Sequence, residues 1–155
     1  MILKPKAVMF LATGAYVGRI PFASGTFGSL VGLPIVYLLS LVDWRLAAIL
    51  TAVLILFSVR VADLAEKQLK AKDPGCIVID EIAGMCVAML AIPLTLTTGI
   101  AGFFLFRIFD IIKPPPARQM ETILNGGWGV VMDDVVAGIM ANIVLRVGVF
   151  LFANY

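Results

Sequence analysis

The sequence contains no histidine, and this absence removes several kinds of chemistry. Ser-His-Asp and Cys-His nucleophiles, histidine-ligated zinc and histidine-dependent lipid phosphatases all need an imidazole. Any general acid or base in this protein must therefore be a carboxylate, a lysine or metal-bound water.

Cysteine is nearly absent as well, and the two that occur, Cys76 and Cys86, do not have the spacing of metal ligands. A thiolate phosphatase would need an arginine five residues after its cysteine, but the residue five positions after Cys76 is Glu81. Both cysteines are therefore interpreted as small apolar packing residues.

Charge is scarce too, since only 14% of the 155 residues are charged while 61% are apolar, and the mean hydropathy is +1.05. A soluble domain of this length would need more polar surface, so the composition predicts an integral membrane protein. The net charge is +2, and the twelve basic residues are spread along the chain rather than gathered in one stripe. Nucleic acid is therefore not an expected partner.

Apolar segments predict the fold, which is an all-α, polytopic membrane bundle formed by one domain over residues 1–155. The five segments are Gly28–Val42, Leu46–Ala62, Ile82–Leu96, Gly99–Ile112 and Val135–Phe152. A full span takes about 20 residues, so the third and fourth segments either cross obliquely or form a hairpin that enters the bilayer and returns. Ala7–Tyr16 is too short to span and is predicted to be an interfacial or re-entrant helix rather than a signal peptide.

The charged residues predict how the bundle is oriented. If the N-terminus is cytoplasmic, most charges fall on the cytoplasmic side: Arg19, residues 60–81, residues 107–121, and the pair Asp133 and Asp134. The basic residues among them follow the positive-inside tendency. We therefore predict a polar site at the cytoplasmic face of a multi-pass protein.

Two acidic pairs stand at the start of apolar stretches: Asp80 and Glu81 in IVIDEIAGMCVAML, and Asp133 and Asp134 in VVMDDVVAGIMANI. The plain interpretation is stabilisation of a helix N-terminus, which is worth 0.3 to about 1 kcal/mol per carboxylate. Capping does not explain two adjacent acids at two helix starts bounded by lipid, where an ionised side chain is costly. Metal ligation is therefore the preferred interpretation.

A third stretch, FFLFRIFDIIKPPPAR, places Arg107, Asp110 and Lys113 on one helix face. They could simply form an ion pair with a snorkelling lysine. The three prolines after Lys113 end the helix and predict Arg118 on an extended segment at the same surface. A carboxylate beside three cations predicts a phosphate site that includes a metal ligand.

A fourth stretch, RIPFASGTFGSLVGLP, is rich in small residues and precedes the first spanning helix. Its Thr26 and Ser29 could bring backbone N–H groups to an anion. Ordinary helix capping is the alternative.

Together, the four stretches resemble the phosphatidylglycerophosphatase A family. SGTFGSL, IVIDEIAGM, FRIFDIIKPPPAR and GGWGVVMDDVVAGI occur in that order between about Pro21 and about Ala141. The resemblance implies hydrolysis of phosphatidylglycerophosphate to phosphatidylglycerol, dependent on Mg²⁺, at the bacterial inner membrane.

The residues support such a reaction because a phosphomonoester carries about two negative charges and Mg²⁺ prefers carboxylate oxygens. The candidate catalytic and metal-binding residues are Asp80, Glu81, Asp110, Asp133 and Asp134. The candidate phosphate-binding residues are Lys113, Arg107, Arg118, Thr26 and Ser29. Two nucleophiles stay open, a metal-bound water and an aspartate.

A small transporter or channel is the competing class, because charges inside a membrane also line permeation paths. Such a path should place polar groups across the whole bilayer, whereas nearly all of these charges fall at one face. Arg146, within the last apolar segment, is the exception, and the sequence pattern gives it no role.

Overall fold

The computed structural model describes residues 4–153, apart from the side chains of residues 121, 122 and 153. Its helices are α1 (Pro5–Ala12), α2 (Ser24–Ser40), α3 (Trp44–Leu69), α4 (Ile79–Ala88), α5 (Leu96–Ile112), α6 (Ala117–Ile123) and α7 (Gly127–Ala153), with a short 3-10 turn at Val17–Arg19. No strand occurs within the described residues. The all-α prediction is confirmed.

Two of the described helices, α3 and α7, are long and apolar enough to cross a membrane. Each offers 26 residues, Trp44–Leu69 and Gly127–Phe152. At 1.5 Å per residue such a helix is about 39 Å long, more than the hydrocarbon core of a bilayer. Helices α2 and α5 have 17 residues each and reach only about 25 Å. The fold is that of a membrane helical protein.

The third apolar segment, Ile82–Leu96, does not continue as one helix, because α4 ends at Ala88 and residues 89–95 form turns and loop. Three local features account for the break. Ala91 adopts a left-handed conformation with φ of 53°. Pro93 has no N–H to donate, and Thr95 begins α5 with a capping box to Thr98. The predicted third segment is therefore a short helix, α4, followed by a loop that leads into α5.

Helix α4 occupies the centre of the bundle, packed among α2, α3, α5 and α7, and nearly all of its residues are buried. Glycines allow this close approach. A Cβ at Gly84 would lie 2.6 Å from the Phe106 ring and 2.8 Å from the backbone oxygen of Asp134. A Cβ at Gly138 would collide with the backbone of α4. The first turn of α4 is thereby held against α7.

The opposite end of α4 is capped by side chains of α7. The Asn142 amide donates to the carbonyl oxygens of Val87, Ala88 and Leu90 at 3.2, 2.9 and 2.9 Å. Arg146 donates to Leu90 O at 2.9 Å and to Asn142 Oδ1 at 2.7 Å. A helix that ends among apolar residues leaves carbonyls that need donors. Arg146 therefore has a structural role that its sequence context did not indicate.

Candidate active site

The site is built around the first turn of α4, which carries Asp80 and Glu81. The Glu81 N–H donates to Asp80 Oδ1 at 3.0 Å, and the Ser58 hydroxyl of α3 donates to the Ile79 carbonyl at 3.4 Å. The backbone of α4 and the neighbouring helix α3 thus hold this turn in place without a ligand. The prediction that this acidic pair opens a helix is confirmed.

Asp134 approaches the same turn from α7. One carboxylate oxygen from each of Asp80, Glu81 and Asp134 lies within 4.8 Å of the other two. Asp80 is 6% exposed and Asp134 is 3% exposed, while Glu81 is partly exposed, so protein encloses most of the group. Three carboxylates from two helices meet at one point, and we call them the carboxylate triad.

Two oxygens of the triad, Glu81 Oε2 and Asp134 Oδ2, are buried and have no hydrogen-bond partner within the described part of the chain. A buried carboxylate oxygen without a donor is costly. A hard divalent cation such as Mg²⁺ binds to oxygen ligands of this kind and would offset that cost. The residues present therefore fit a metal ion.

Capping does not account for the second acidic pair. Helix α7 begins at Gly127, so Asp133 and Asp134 lie in its second turn, and its first turn contains no acid. The prediction that these two acids stand at a helix start was wrong. The favourable effect of the helix dipole fades within the first turn, so it gives no reason for two buried carboxylates here.

Asp110 of α5 adjoins the triad, because its carboxylate interacts with those of Asp134 and Glu81. It also forms an ion pair with Arg107 Nη1, one turn earlier on the same helix. Arg107 Nη1 donates in addition to the Ser29 hydroxyl at 3.4 Å, and that hydroxyl donates to the Gly25 carbonyl at 2.8 Å. Arg107 is thus held between α5 and α2, beside Glu81.

Gly25 is a site residue that the sequence did not reveal as such. A Cβ there would collide with Glu81 Oε1 and would lie 3.0 Å from Arg107 Nη1. Helix α2 begins at Ser24, so Thr26 and Ser29 lie within the helix. The prediction that they precede it was wrong. The run of small residues serves the close packing of α2 on charged side chains.

Asp133 and Lys113 form a separate pair at the edge of the triad. Lys113 Nζ lies 2.6 Å from Asp133 Oδ2, and Asp133 is 3% exposed. Asp133 Oδ1 also accepts the Asp134 N–H at 3.0 Å. Of the five predicted carboxylates, three form the triad, Asp110 adjoins it, and Asp133 is engaged with Lys113.

The two other predicted phosphate-binding residues lie on helices. Thr26 is half-buried in the first turn of α2, and Arg118 is exposed on α6. The prolines do end α5 at Ile112, as predicted, but the expected extended segment at Arg118 was wrong. Proline is tolerated next to a helix start, so Pro116 immediately precedes α6. Phosphate contacts by Thr26 and Arg118 stay predictions.

The helical membrane fold holds a carboxylate triad, with Arg107 and Lys113 beside it. Carboxylates and cations gathered in this way define a class of membrane enzyme that uses these groups for its chemistry. The chain belongs to the phosphatidylglycerophosphatase A family, whose family model matches residues 10–149. The resemblance of the four sequence stretches is thereby confirmed, and the protein is a phosphatase of a lipid phosphomonoester.

Three relatives are similar to this chain, and two of them carry the name of this family. The phosphatidylglycerophosphatase A of Escherichia coli strain K12 is 36% identical over 84% of this chain and 77% of its own. The protein of the same name from Haemophilus influenzae is 39% identical over 89% of this chain and 86% of its own. A Bacteroides thetaiotaomicron protein, described as a candidate phosphatidylinositol-3-phosphatase, is 37% identical over 90% and 91%. No solved structure gives a significant match.

Proposed function

We propose that the protein hydrolyses phosphatidylglycerophosphate to phosphatidylglycerol and inorganic phosphate, with Mg²⁺ held by Asp80, Glu81 and Asp134. The observation that carries the metal assignment is the convergence of these three carboxylates, with two buried oxygens lacking partners in the described part of the chain. The family and its two phosphatidylglycerophosphatase relatives support the substrate.

A bound Mg²⁺ would supply charge neutralisation for the phosphate and a Lewis acid beside the attacked phosphorus. Arg107 and Lys113 would bind the phosphate oxygens, since a terminal phosphate carries about two negative charges. Arg107 Nε is buried and has no acceptor within the described residues, so a phosphate oxygen placed against it would satisfy a donor that this part of the chain leaves unpaired. Ser29 and Asp110 hold the guanidinium in place for that contact.

The reaction breaks the bond between phosphorus and the oxygen of the headgroup glycerol. With water as the nucleophile, its oxygen bonds to phosphorus, and its proton is passed through a carboxylate to the departing glycerol oxygen. Asp110 and Asp133 are the candidates for this transfer, because each is a carboxylate outside the triad and next to a cation that would hold the phosphate. The overall step needs no histidine.

The membrane placement is part of the proposal. The chain is proposed to be a multi-pass protein of the bacterial inner membrane with its site at the cytoplasmic face. The C-terminal part of α3 packs on the start of α7, where Gly127 adjoins Val59 and Asp63. Arg60, Lys67, Lys70 and Lys72 lie in that part of α3 and in the loop that follows it. Basic residues on the triad's side of the membrane agree with a cytoplasmic location.

A second candidate substrate is phosphatidylinositol 3-phosphate, which the description of the Bacteroides relative favours. Both lipids present a phosphomonoester, so the metal site and its cations suit either. They differ in the alcohol, a flexible glycerol in one case and a ring in the other.

The test is phosphate release by purified protein in detergent micelles, measured on each lipid before and after removal of metal with a chelator. We expect release from phosphatidylglycerophosphate that stops on chelation and returns with Mg²⁺. Greater turnover of the inositol lipid would replace the proposed substrate. Release that continues without any divalent cation would disprove the metal assignment.

A further inference from the structure

An apolar groove lies between α2 and α5 and opens at the surface of the bundle. Its volume is about 370 Å³, and its walls include Leu30 and Leu33 from α2 and Gly99, Ile100 and Phe103 from α5. Several of these side chains, including Leu30 and Ile100, are exposed. The groove is therefore open at the protein surface, where a bilayer would bring lipid chains to it.

The groove continues the active site rather than standing apart from it. On α2, Gly25, Ser29 and Leu33 follow one another at i, i+4 and i+8 and so share one face. Gly25 and Ser29 lie against Arg107, and Leu33 lines the groove one turn further on. One face of α2 thus runs from the charged site into the apolar groove.

Helix α5 repeats this arrangement from the other side. Asp110 and Arg107 belong to the site, while Phe103, four residues before Arg107, and Gly99, four residues before Phe103, line the groove. The two helices meet where Arg107 donates to Ser29. From Arg107 to Gly99 the path is about 12 Å long.

We propose that one acyl chain of the lipid substrate lies in this groove while its terminal phosphate is bound at Arg107 and the triad. A passage that is charged at one end and apolar for about 12 Å beyond matches an amphipathic lipid, whose phosphates and glycerols stay at the charged end while a hydrocarbon chain continues into the apolar part. The inference rests on the proposed lipid phosphatase function and adds a binding site for the acyl chain of the substrate.

The groove acts by alignment and not by hydrophobic burial. Bilayer hydrocarbon is as apolar as the groove walls, so moving a chain from lipid into the groove gains little hydrophobic free energy. A chain fixed between α2 and α5 does restrict where the headgroup can lie. Displacement of the reacting group by about 1 Å can cost roughly 100-fold in rate. The groove therefore sets the turnover of long-chain substrates.

Gly99 allows a direct test, because a Cβ there would meet only Leu94, at an ordinary contact distance of 3.6 Å. Gly99→Phe should fit the helix and fill the groove. Gly148→Phe is the matched control, since Gly148 lies on α7 and a Cβ there meets nothing within 4 Å. Leu33→Phe fills the same groove from α2.

Each variant is assayed on phosphatidylglycerophosphate with two four-carbon chains and with two eighteen-carbon chains. A four-carbon chain fills far less of the groove than an eighteen-carbon chain does. We expect Gly99→Phe and Leu33→Phe to lower kcat/KM for the long-chain lipid by at least about tenfold relative to the short-chain lipid. Gly148→Phe should leave this ratio unchanged.

Three results would overturn the inference. The first is an unchanged ratio in Gly99→Phe and Leu33→Phe, which would mean that the groove holds only bulk lipid. The second is an equal loss on both lipids. The third is a change of oligomeric state in light scattering, which would assign the groove to a second copy of the chain. If the wild type releases phosphate from neither lipid, the proposed function fails instead.

Discussion

Each acidic residue of the site has its own surroundings, and these determine what its replacement should do. Glu81 and Asp134 each present a buried oxygen without a partner among the described residues, whereas Asp63 of α3 forms an exposed ion pair with Lys67. Glu81→Gln and Asp134→Asn keep the side-chain shape but remove the charge. Asp63→Asn does the same outside the triad.

Mn²⁺ takes the place of Mg²⁺ in this experiment because it can be detected by its spectrum. We expect Glu81→Gln and Asp134→Asn each to weaken Mn²⁺ binding at least about 100-fold, more than is typical when a residue that only orients a metal ligand is lost. Electron paramagnetic resonance of free Mn²⁺ measures this without reference to activity. Phosphate release should fall in parallel, and Asp63→Asn should bind and react as the wild type does. Normal Mn²⁺ affinity in both triad variants would show that the metal binds elsewhere.

The ion pair between Lys113 and Asp133 has two interpretations: it stabilises the fold, or its lysine binds the substrate phosphate. Lys113→Ala would leave Asp133 buried without its cation and should lower the free energy of unfolding by roughly 1–3 kcal/mol. Lys113→Ala combined with Asp133→Asn removes that buried charge and should regain most of the lost stability. Thermal unfolding in detergent measures both.

The double variant also decides what Lys113 does. Asp133 is also a candidate for proton transfer, so the comparison is made with Asp133→Asn alone. If Lys113 binds the phosphate, the double variant should be folded and should release phosphate more slowly than Asp133→Asn. A folded double variant with normal phosphate release would limit Lys113 to a structural ion pair.

At the scale of elements, the site depends on how closely α4 and α7 approach. A Cβ at Gly84 would meet the Phe106 ring at 2.6 Å and Asp134 O at 2.8 Å, so Gly84→Ala must push helices apart. We expect it to lower the free energy of unfolding by roughly 1–3 kcal/mol and to reduce phosphate release, because Asp134 moves away from Asp80. Gly148→Ala has open space and should be neutral or slightly stabilising.

Thermal unfolding and phosphate release, measured on the same two preparations, test this. The idea fails if Gly84→Ala retains the stability and activity of the wild type, since the contact would then not hold the triad together.

The same contact explains why only part of the site could be read from the sequence. The acidic pairs were visible, but adjacent residues on a helix project about 100° apart, so the sequence alone did not choose between Asp133 and Asp134. The choice follows from packing. Asp134 stands four residues before Gly138, and Asp80 stands four residues before Gly84, so each acid lies one turn from a contact glycine. This i, i+4 spacing was the signal that could have identified the pair.

Some helix ends could be predicted from the sequence and others could not, and packing again explains the difference. The prolines after Lys113 did end α5, because proline acts through its own backbone. The end of α4 at Ala88 could not be predicted from hydropathy, because residues 89–95 are as apolar as a helix interior. What stabilises this end is a set of donors from Asn142 and Arg146, more than fifty residues away in sequence.

At the scale of the whole molecule, the triad, the start of α4 and the charged end of α3 should all face the cytoplasm. Cysteine labelling tests this in a protein with Cys76 and Cys86 replaced, using Lys72→Cys beyond α3 and Val42→Cys at the other end of the bundle. We expect a membrane-impermeant reagent to label the Val42→Cys protein in intact cells and the Lys72→Cys protein only in opened cells. The reverse pattern would place the site outside.

The most direct test of the central claim is the position of Mn²⁺ in the anomalous scattering of crystals of the protein. If the triad holds the catalytic metal, a peak lies among the carboxylates of Asp80, Glu81 and Asp134, with Asp133 and Lys113 still paired beside it. A peak at other carboxylates, or no peak here in crystals of protein that hydrolyses its lipid in the presence of Mn²⁺, would contradict the account.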